Sequence, residues 1–222
     1  MKPAASRRFC VRASGPVACF TRPEMKAERV SYEVMTPSAA RGLLEAILWK
    51  PAIRWHVHEI AALAPVQWTS FRRNEVNSRA VVGKFDYAAD ADKERAQRNT
   101  VALRDVDYVI TASFTLVPEK TGPEDNLRKF EEMFERRLEK GQCFHAPYLG
   151  CREFAARVEA ATEGLRPHES IERRPLGLMF YDFDFGGPGE EVRPLFFEAF
   201  LERGVLRVPP WEQVIERNGR RP

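Results

Sequence analysis

Along this chain apolar residues alternate with polar ones in several stretches and recur at helical spacing in two others, and the order of those stretches predicts a fold. Residues 8–13 read as a short first strand. At Thr36-Pro37 a hydroxyl able to cap free amides precedes a proline suited to the first helical position. Ala40, Leu43, Leu44 and Ile47 then follow the i, i+3, i+4, i+7 pattern of an amphipathic helix that ends before Pro51. Ile53, Trp55 and Val57 alternate with Arg54, His56 and His58, as in a half-buried strand. Alternation returns at Val106, Tyr108, Ile110, Ala112, Phe114 and Leu116. After the breaker Thr121-Gly122-Pro123, the residues Leu127, Phe130, Phe134 and Leu138 mark a second helix over residues 124–140, closed by Gly141. With residues 143–154 as a fourth strand, the order strand, helix, strand, strand, helix, strand predicts an α+β fold with a ferredoxin-like (RRM-like) domain.

Two segments fall outside this order. Residues 71–97 are polar and charge-mixed, with Arg72, Arg73, Arg79 and Lys84 in their first part, and read as a long hairpin or mobile loop inserted into the domain. Beyond Gly164 the composition shifts, and residues 166–174 read as a linker. Met179, Tyr181, Phe183 and Phe185 then alternate with Phe180, Asp182 and Asp184, and the glycines at 186, 187 and 189 turn the chain into residues 193–201. Gly204 turns it again into residues 205–208, giving a small antiparallel C-terminal sheet. The expected division is residues 1–164 and residues 165–222.

Composition narrows the function classes. The 222 residues are 44% hydrophobic, enough to bury a core. No apolar run approaches the roughly 20 residues that span a bilayer, and Arg12 interrupts any secretory h-region, so a cytoplasmic protein without a membrane partner is expected. Cys10, Cys19, Cys143 and Cys151 show no metal-ligand spacing and read as reduced thiols. Charge is uneven: residues 1–115 hold 18 Lys and Arg against 12 Asp and Glu, and the remainder holds 17 against 20. The first half is therefore the side expected to meet phosphates, since counterion release rewards local positive density.

Two pairs invite a metal reading. His56 and His58 share a strand face, and Asp182 and Asp184 form a D-x-D pair, but neither has an evident third ligand. Strand alternation places the histidines with Arg54 on a polar outer face and the aspartates on the solvent side of an aromatic strand. The glycines at 186–189 lack the lysine and following helix of a phosphate loop. No metal or other cofactor is expected.

The segments Phe20-Thr21-Arg22-Pro23-Glu24-Met25-Lys26, Met35-Thr36-Pro37-Ser38-Ala39-Ala40-Arg41-Gly42 and Trp49-Lys50-Pro51-Ala52-Ile53 closely resemble the fifth family of Cas proteins in its subtype I-C form. The likeness continues at Arg72-Arg73-Asn74-Glu75, Gly141-Gln142-Cys143-Phe144 and Pro147-Tyr148-Leu149-Gly150-Cys151-Arg152-Glu153-Phe154. It implies a Cascade subunit that holds the repeat-derived 5′ handle of CRISPR RNA beside backbone and large subunits, and that itself cuts the repeat hairpin without a metal. In such cleavage the ribose 2′-OH attacks the adjacent phosphate and leaves a 2′,3′-cyclic phosphate.

The family's catalytic residues are an aromatic or imidazole side chain just before Trp-Lys-Pro and a Lys-His pair on the second helix. Here those positions hold Leu48 and the pair Lys129-Phe130, so only Lys129 carries over. Leu48 and Phe130 read as core residues. Tyr32 and His145 are the remaining chemically able candidates, inferred from the motifs rather than assigned by the family. Each has a plainer reading, a hydrogen-bonding tyrosine and an exposed or RNA-contacting histidine. Arg22, Lys26, Arg29, Lys50, Arg72 and Arg73 are the expected contacts to the RNA backbone, with Phe20 or Tyr32 able to stack on a base, against a reading as solvated surface charge. A structural RNA-binding subunit with weak or no nuclease activity, and duplex DNA as a further partner, are the competing expectations.

Overall fold

The longest strand organises the molecule. In the computed structural model, which describes residues 4–76, 95–168, 173–186 and 189–219, strand β5 (Arg95–Leu116) receives partners along both edges. On one edge lie β1 (Phe9–Ala18), antiparallel to residues 103–112, and the two-residue β2 (Arg29–Val30), parallel to Thr100 and Val101. The other edge carries β3 (Ile53–Ala62), paired with residues 108–116, and β4 (Trp68–Val76), paired with residues 95–103. Asp105, at φ 52, sits between the two halves of β5. Its short polar side chain is among the few that tolerate that left-handed backbone.

Two helices complete the α and β alternation. Helix α1 (Pro37–Ile47) starts as its sequence predicts, with Thr36 Oγ1 accepting the Ala39 amide at 3.3 Å. Helix α2 (Leu127–Glu139) starts later than expected, capped by Asn126, whose side chain accepts the Lys129 amide at 2.9 Å. Buried Leu43, Leu44 and Ile47 of α1 and Phe130 and Phe134 of α2 join Phe9, Trp55 and Phe114 of the sheet in one core. The rings of Phe9, Trp55, Phe114 and Phe134 meet edge-to-face or stacked, with centroids 4.8–6.1 Å apart.

The fourth strand of the expected order is β6 (Arg157–Ala160), paired with β1, and not residues 143–154. That earlier segment is spent on turns: the amides of Phe144 and His145 cap α1 at Ala46 O, and the Leu149 amide bonds Phe154 O at 2.8 Å. Gly150, at φ +83, packs against the Cys19 carbonyl with no room for a side chain. The 71–97 insertion is a hairpin arm, since β4 and β5 pair from Trp68–Leu103 out to Val76–Arg95, whereas Arg79 and Lys84 lie outside the described residues.

The C-terminal meander appears as β7 (Arg173–Asp184), β8 (Arg193–Glu202) and β9 (Val205–Arg207). It continues the same sheet instead of forming its own, because β9 pairs with β3. The whole order is β6-β1-β5-β3-β9-β8-β7, with β2 and β4 on β5. Among the described residues the protein is thus an α+β fold of one large, mainly antiparallel sheet and three helices, the last being α3 (Trp211–Arg217). None of these helices is long and apolar enough to cross a membrane.

The aspartates of β7 are not on a solvent face. A register shift between Phe180 and Asp182 inserts one residue and inverts the alternation. Met179 and Asp184 are buried, and Phe183 and Phe185 are exposed. Asp182 accepts both Nε and Nη2 of Arg41, at 2.7 and 3.0 Å, tying β7 to α1.

Gly150 tests this account of the segment before β6. Gly150→Ala should destabilise the protein by roughly 3 kcal/mol, through a left-handed backbone and a collision with main-chain atoms. Urea unfolding measures it, and an unchanged midpoint would contradict the close approach to Cys19.

Candidate functional site

The end of α1 fixes the geometry. A helix leaves its last carbonyls without partners, and here α2 and the segment after it supply them. Phe144 and His145 donate to Ala46 O at 2.6 and 3.3 Å, and Arg137 Nη1 donates to Ile47 O at 2.8 Å. Trp55 Nε1 takes Leu48 O at 3.2 Å. Trp49 and Lys50 therefore leave the helix in a set direction.

The charge of Lys50 reaches Asp125, just ahead of the α2 cap. Asp125 accepts the Gly122 amide at 3.0 Å and Lys129 Nζ at 2.9 Å. These bonds, with the charges of Lys129 and Lys50, hold its carboxyl below the usual range. Lys129 thus pairs with one carboxylate at a helix start, within the field of Lys50 from a distant part of the chain. Behind them Leu48 and Phe130 are buried, as read from the sequence.

Trp49 begins a run of rings. It stacks on Phe144 with centroids 5.8 Å apart, Phe144 meets His145 edge-on at 5.9 Å, and His145 stacks on Tyr148 at 6.1 Å. Trp49 is 49% and Phe144 60% exposed, far more than a core role allows. His145 is exposed, with Nδ1 3.1 Å from Ala146 O. Such a ladder offers flat faces for unstacked bases and an imidazole among them.

Tyr32 lies elsewhere. It is buried, and its hydroxyl accepts the Phe180 amide at 3.1 Å, with burial pushing the phenol above its ordinary value. Arg22 rests 4.4 Å from its ring centroid. Among the described residues no contact joins Tyr32 to Lys129 or His145.

The basic residues divide into engaged and open ones. Arg29 and Arg73 share Glu153 and Glu75, with Arg29 2.9 Å from Glu153 and Arg73 2.9 Å from Glu75. Arg22 stands 3.9 Å from Glu24. Among the described residues Arg72 donates only to the neutral Gln97, at 3.3 Å, and Lys26 is exposed. Sequence reasoning did not find the thiol pair beside Arg29. Cys19 and Cys151 lie within hydrogen-bonding reach, and the Cys19 thiol together with Thr21 and Arg29 draws the Cys151 thiol below its ordinary value.

The other singled-out pairs are committed to structure. His56 and His58 Nε2 bond Thr115 and Ser113 at 2.9 and 2.8 Å, and burial holds both imidazoles below their ordinary value. Asp184 accepts the Gly186 amide at 3.0 Å. Among the described residues no three His, Cys, Asp or Glu side chains gather as a metal site would need.

Known proteins share this frame. The sequence profile of the CRISPR-associated Cas5 proteins matches residues 9–219. The CRISPR pre-crRNA endoribonuclease Cas5d of Mannheimia succiniciproducens is 44% identical over 221 residues, covering 93% of this chain and 96% of its own. The protein of the same name from Thermus thermophilus is 44% identical over 218 residues, covering 91% of each chain. In fold, the chain resembles a solved CRISPR-associated protein with a TM-score of 0.72 at 24% identity, covering 96% of this chain and 97% of that one. A functionally uncharacterised protein of Streptococcus mutans, SMU1763c, aligns with a TM-score of 0.69 at 21% identity over the same shares of the two chains. The chain belongs to the Cas5d family of CRISPR-associated proteins.

Proposed function

We propose that this protein is a pre-crRNA endoribonuclease that cuts the CRISPR repeat without a metal and stays on the 5′ handle as a subunit of a Cascade-type surveillance complex in the cytoplasm. Its scaffold is read as a ferredoxin-like core, β1-α1-β3-β5-α2-β6, extended by the C-terminal meander. The observation that carries the reading is the pairing of Lys129 with Asp125 within the field of Lys50, whose neighbour Trp49 opens the exposed ladder of Trp49, Phe144 and His145.

The chemistry follows from those groups. The RNA lies across the ladder with its scissile phosphate at the lysines. His145 takes the proton of the 2′-OH, whose oxygen bonds to phosphorus, and the P–O5′ bond breaks, the 5′ oxygen taking a proton from solvent. Lys129 stabilises the charge that grows on the phosphoryl oxygens. Tyr32 serves in this reading as a buried post between the segment after β2 and β7, not as a proton carrier.

A second reading has its own observation. Leu48 and Phe130 are sealed in the core, where the family's proton-moving side chains would stand, which favours an RNA-binding subunit with little nuclease activity. Cognate repeat hairpin incubated with the protein in EDTA separates the two. A single cut leaving a 2′,3′-cyclic phosphate supports cleavage, and binding without a cut supports the structural role. Competition with duplex DNA tests that further partner.

Lys129→Ala should slow single-turnover cleavage by at least about 100-fold with repeat affinity nearly unchanged. Cleavage at the original rate would remove Lys129 from the mechanism. For the phosphate track of Arg22, Lys26, Arg29, Lys50, Arg72 and Arg73, salt dependence is the readout. Lys26→Ala with Arg72→Ala should flatten the slope of log K against log salt by about 1 to 2. Glu153→Gln, which removes one of the two carboxylates that Arg29 and Arg73 share, should steepen it, and slopes that stay put would show that these cations touch no phosphate.

A further inference from the structure

A cleft of about 530 Å³ opens where α1 and β3 face the end of β7, and beyond Trp49 and Lys50 the cleavage reading does not use its lining. Trp49 and Lys50 stand on one side of it, Phe183 and Phe185 on another, and Arg54 and Lys120 also line it. That volume falls within the roughly 300–1,000 Å³ of small-ligand sites, room for a nucleoside but not for a duplex.

Its walls are apolar where bases would stack. Phe183 is 45% and Phe185 65% exposed, and the Phe185, Phe183 and Phe180 rings follow one another at 6.2 and 4.9 Å. Nothing in the packing of β7 needs Phe183 or Phe185 on the surface, since the register shift that exposes them buries Asp184 in exchange.

Its charges favour an anion. The cleft's carboxylates are occupied: Arg41 lies between Asp182 and Glu45, with 2.7 Å contacts to both, and Asp184 is buried on the Gly186 amide. Arg54 and Lys120 are exposed cations that have no ion-pair partner among the described residues. Lys50 lines this cleft and its charge also acts on the Asp125–Lys129 pair, so the two sites lie near each other.

Resting on the ribonuclease reading above, we propose that this cleft is a subsite for one unpaired ribonucleotide next to the scissile phosphate. Its base stacks against Phe183 and Phe185 and its phosphate lies on Arg54 and Lys120. The half-buried His56, also in the cleft, presents a polar edge to the sugar or base. The stem of a hairpin cannot enter, so the subsite reads the single-stranded flank and sets where along the RNA the lysine cluster falls.

The test compares two probes on the full-length protein: the repeat hairpin with its unpaired flanks, 2′-O-methylated to block cleavage, and the same hairpin trimmed to its stem. Wild type should bind the flanked RNA about tenfold more tightly than the stem. Arg54→Ala with Phe185→Ala, both surface positions, should abolish that preference and leave stem affinity within about twofold, because the general track supplies it. Lys120→Ala, a separate variant, should reduce the preference, and thermal unfolding identical to wild type shows that each variant is folded.

A retained flank preference in both variants overturns the subsite while the RNA-binding reading stands. Equal loss of stem and flanked binding also overturns it, since Arg54 would then belong to the general track. A variant that keeps the preference but no longer joins the other complex subunits assigns the cleft to a protein segment, against the proposal. Wild type binding neither probe sinks the ribonuclease reading and this inference together.

Discussion

The hydrogen-bond ladder of β5 sets every other placement in this molecule. Its 22 residues are claimed on both edges, first by β4 and β2 and then by β3 and β1. Strand side chains repeat every two residues, so a slip of one would turn the Phe114 face outward and carry Ser113 and Thr115 away from His58 and His56. The core is what forbids that slip. The rings of Phe9, Trp55 and Phe134 lock around Phe114, and through them the ladder fixes where α1 and α2 rest.

From that frame the site follows by one capping event. The carbonyls at the end of α1 need donors, and α2 with the segment after it provides them from Arg137, Phe144 and His145. The same bonds that satisfy the helix bring Trp49 against Phe144 and hold α2 so that the Asp125–Lys129 pair lies within the field of Lys50. Two motif blocks about ninety residues apart (Trp49-Lys50-Pro51 and Gly141 to Phe144) are thus two sides of one joint. Their resemblance to one family makes structural sense, because neither block has a defined surface without the other.

Periodicity revealed those elements that bury one face. Both main helices, the start of β3 and the second half of β5 were legible because each lays an apolar stripe on the core. The arm of β4 and early β5 was not, since intermediate and exposed residues alternate along β4 with none buried. Residues 143–154 look strand-like because Phe144 and Tyr148 are aromatic, but those rings face outward and the backbone is used for capping. On β7 a single inserted residue defeated the alternation of Met179 and Phe183. Helix α3 is too short to show a period, although Val214 and Ile215 are buried after Pro209-Pro210. Within the site, motif matching exposed Lys50 and Lys129. The burial of Tyr32 against Phe180 and the Cys19–Cys151 contact depend on residues more than a hundred positions apart, and no local pattern records them.

Charge shows most plainly what a linear reading omits. The excess of cations in the first half is partly cancelled in space by carboxylates from the second: Glu153 on Arg29 and Arg73, Asp182 on Arg41, Glu135 on Arg7. A phosphate reaching Arg29 or Arg73 must displace a carboxylate already bonded there, so little net electrostatic energy is gained. One reaching Lys26, Arg54 or Lys120, which have no ion-pair partner among the described residues, displaces water and counterions and keeps the gain from their release. The attraction for a polyanion is therefore set by the cations left unpaired after folding, not by the count along the chain. Two of them, Arg54 and Lys120, line the cleft whose other walls are aromatic.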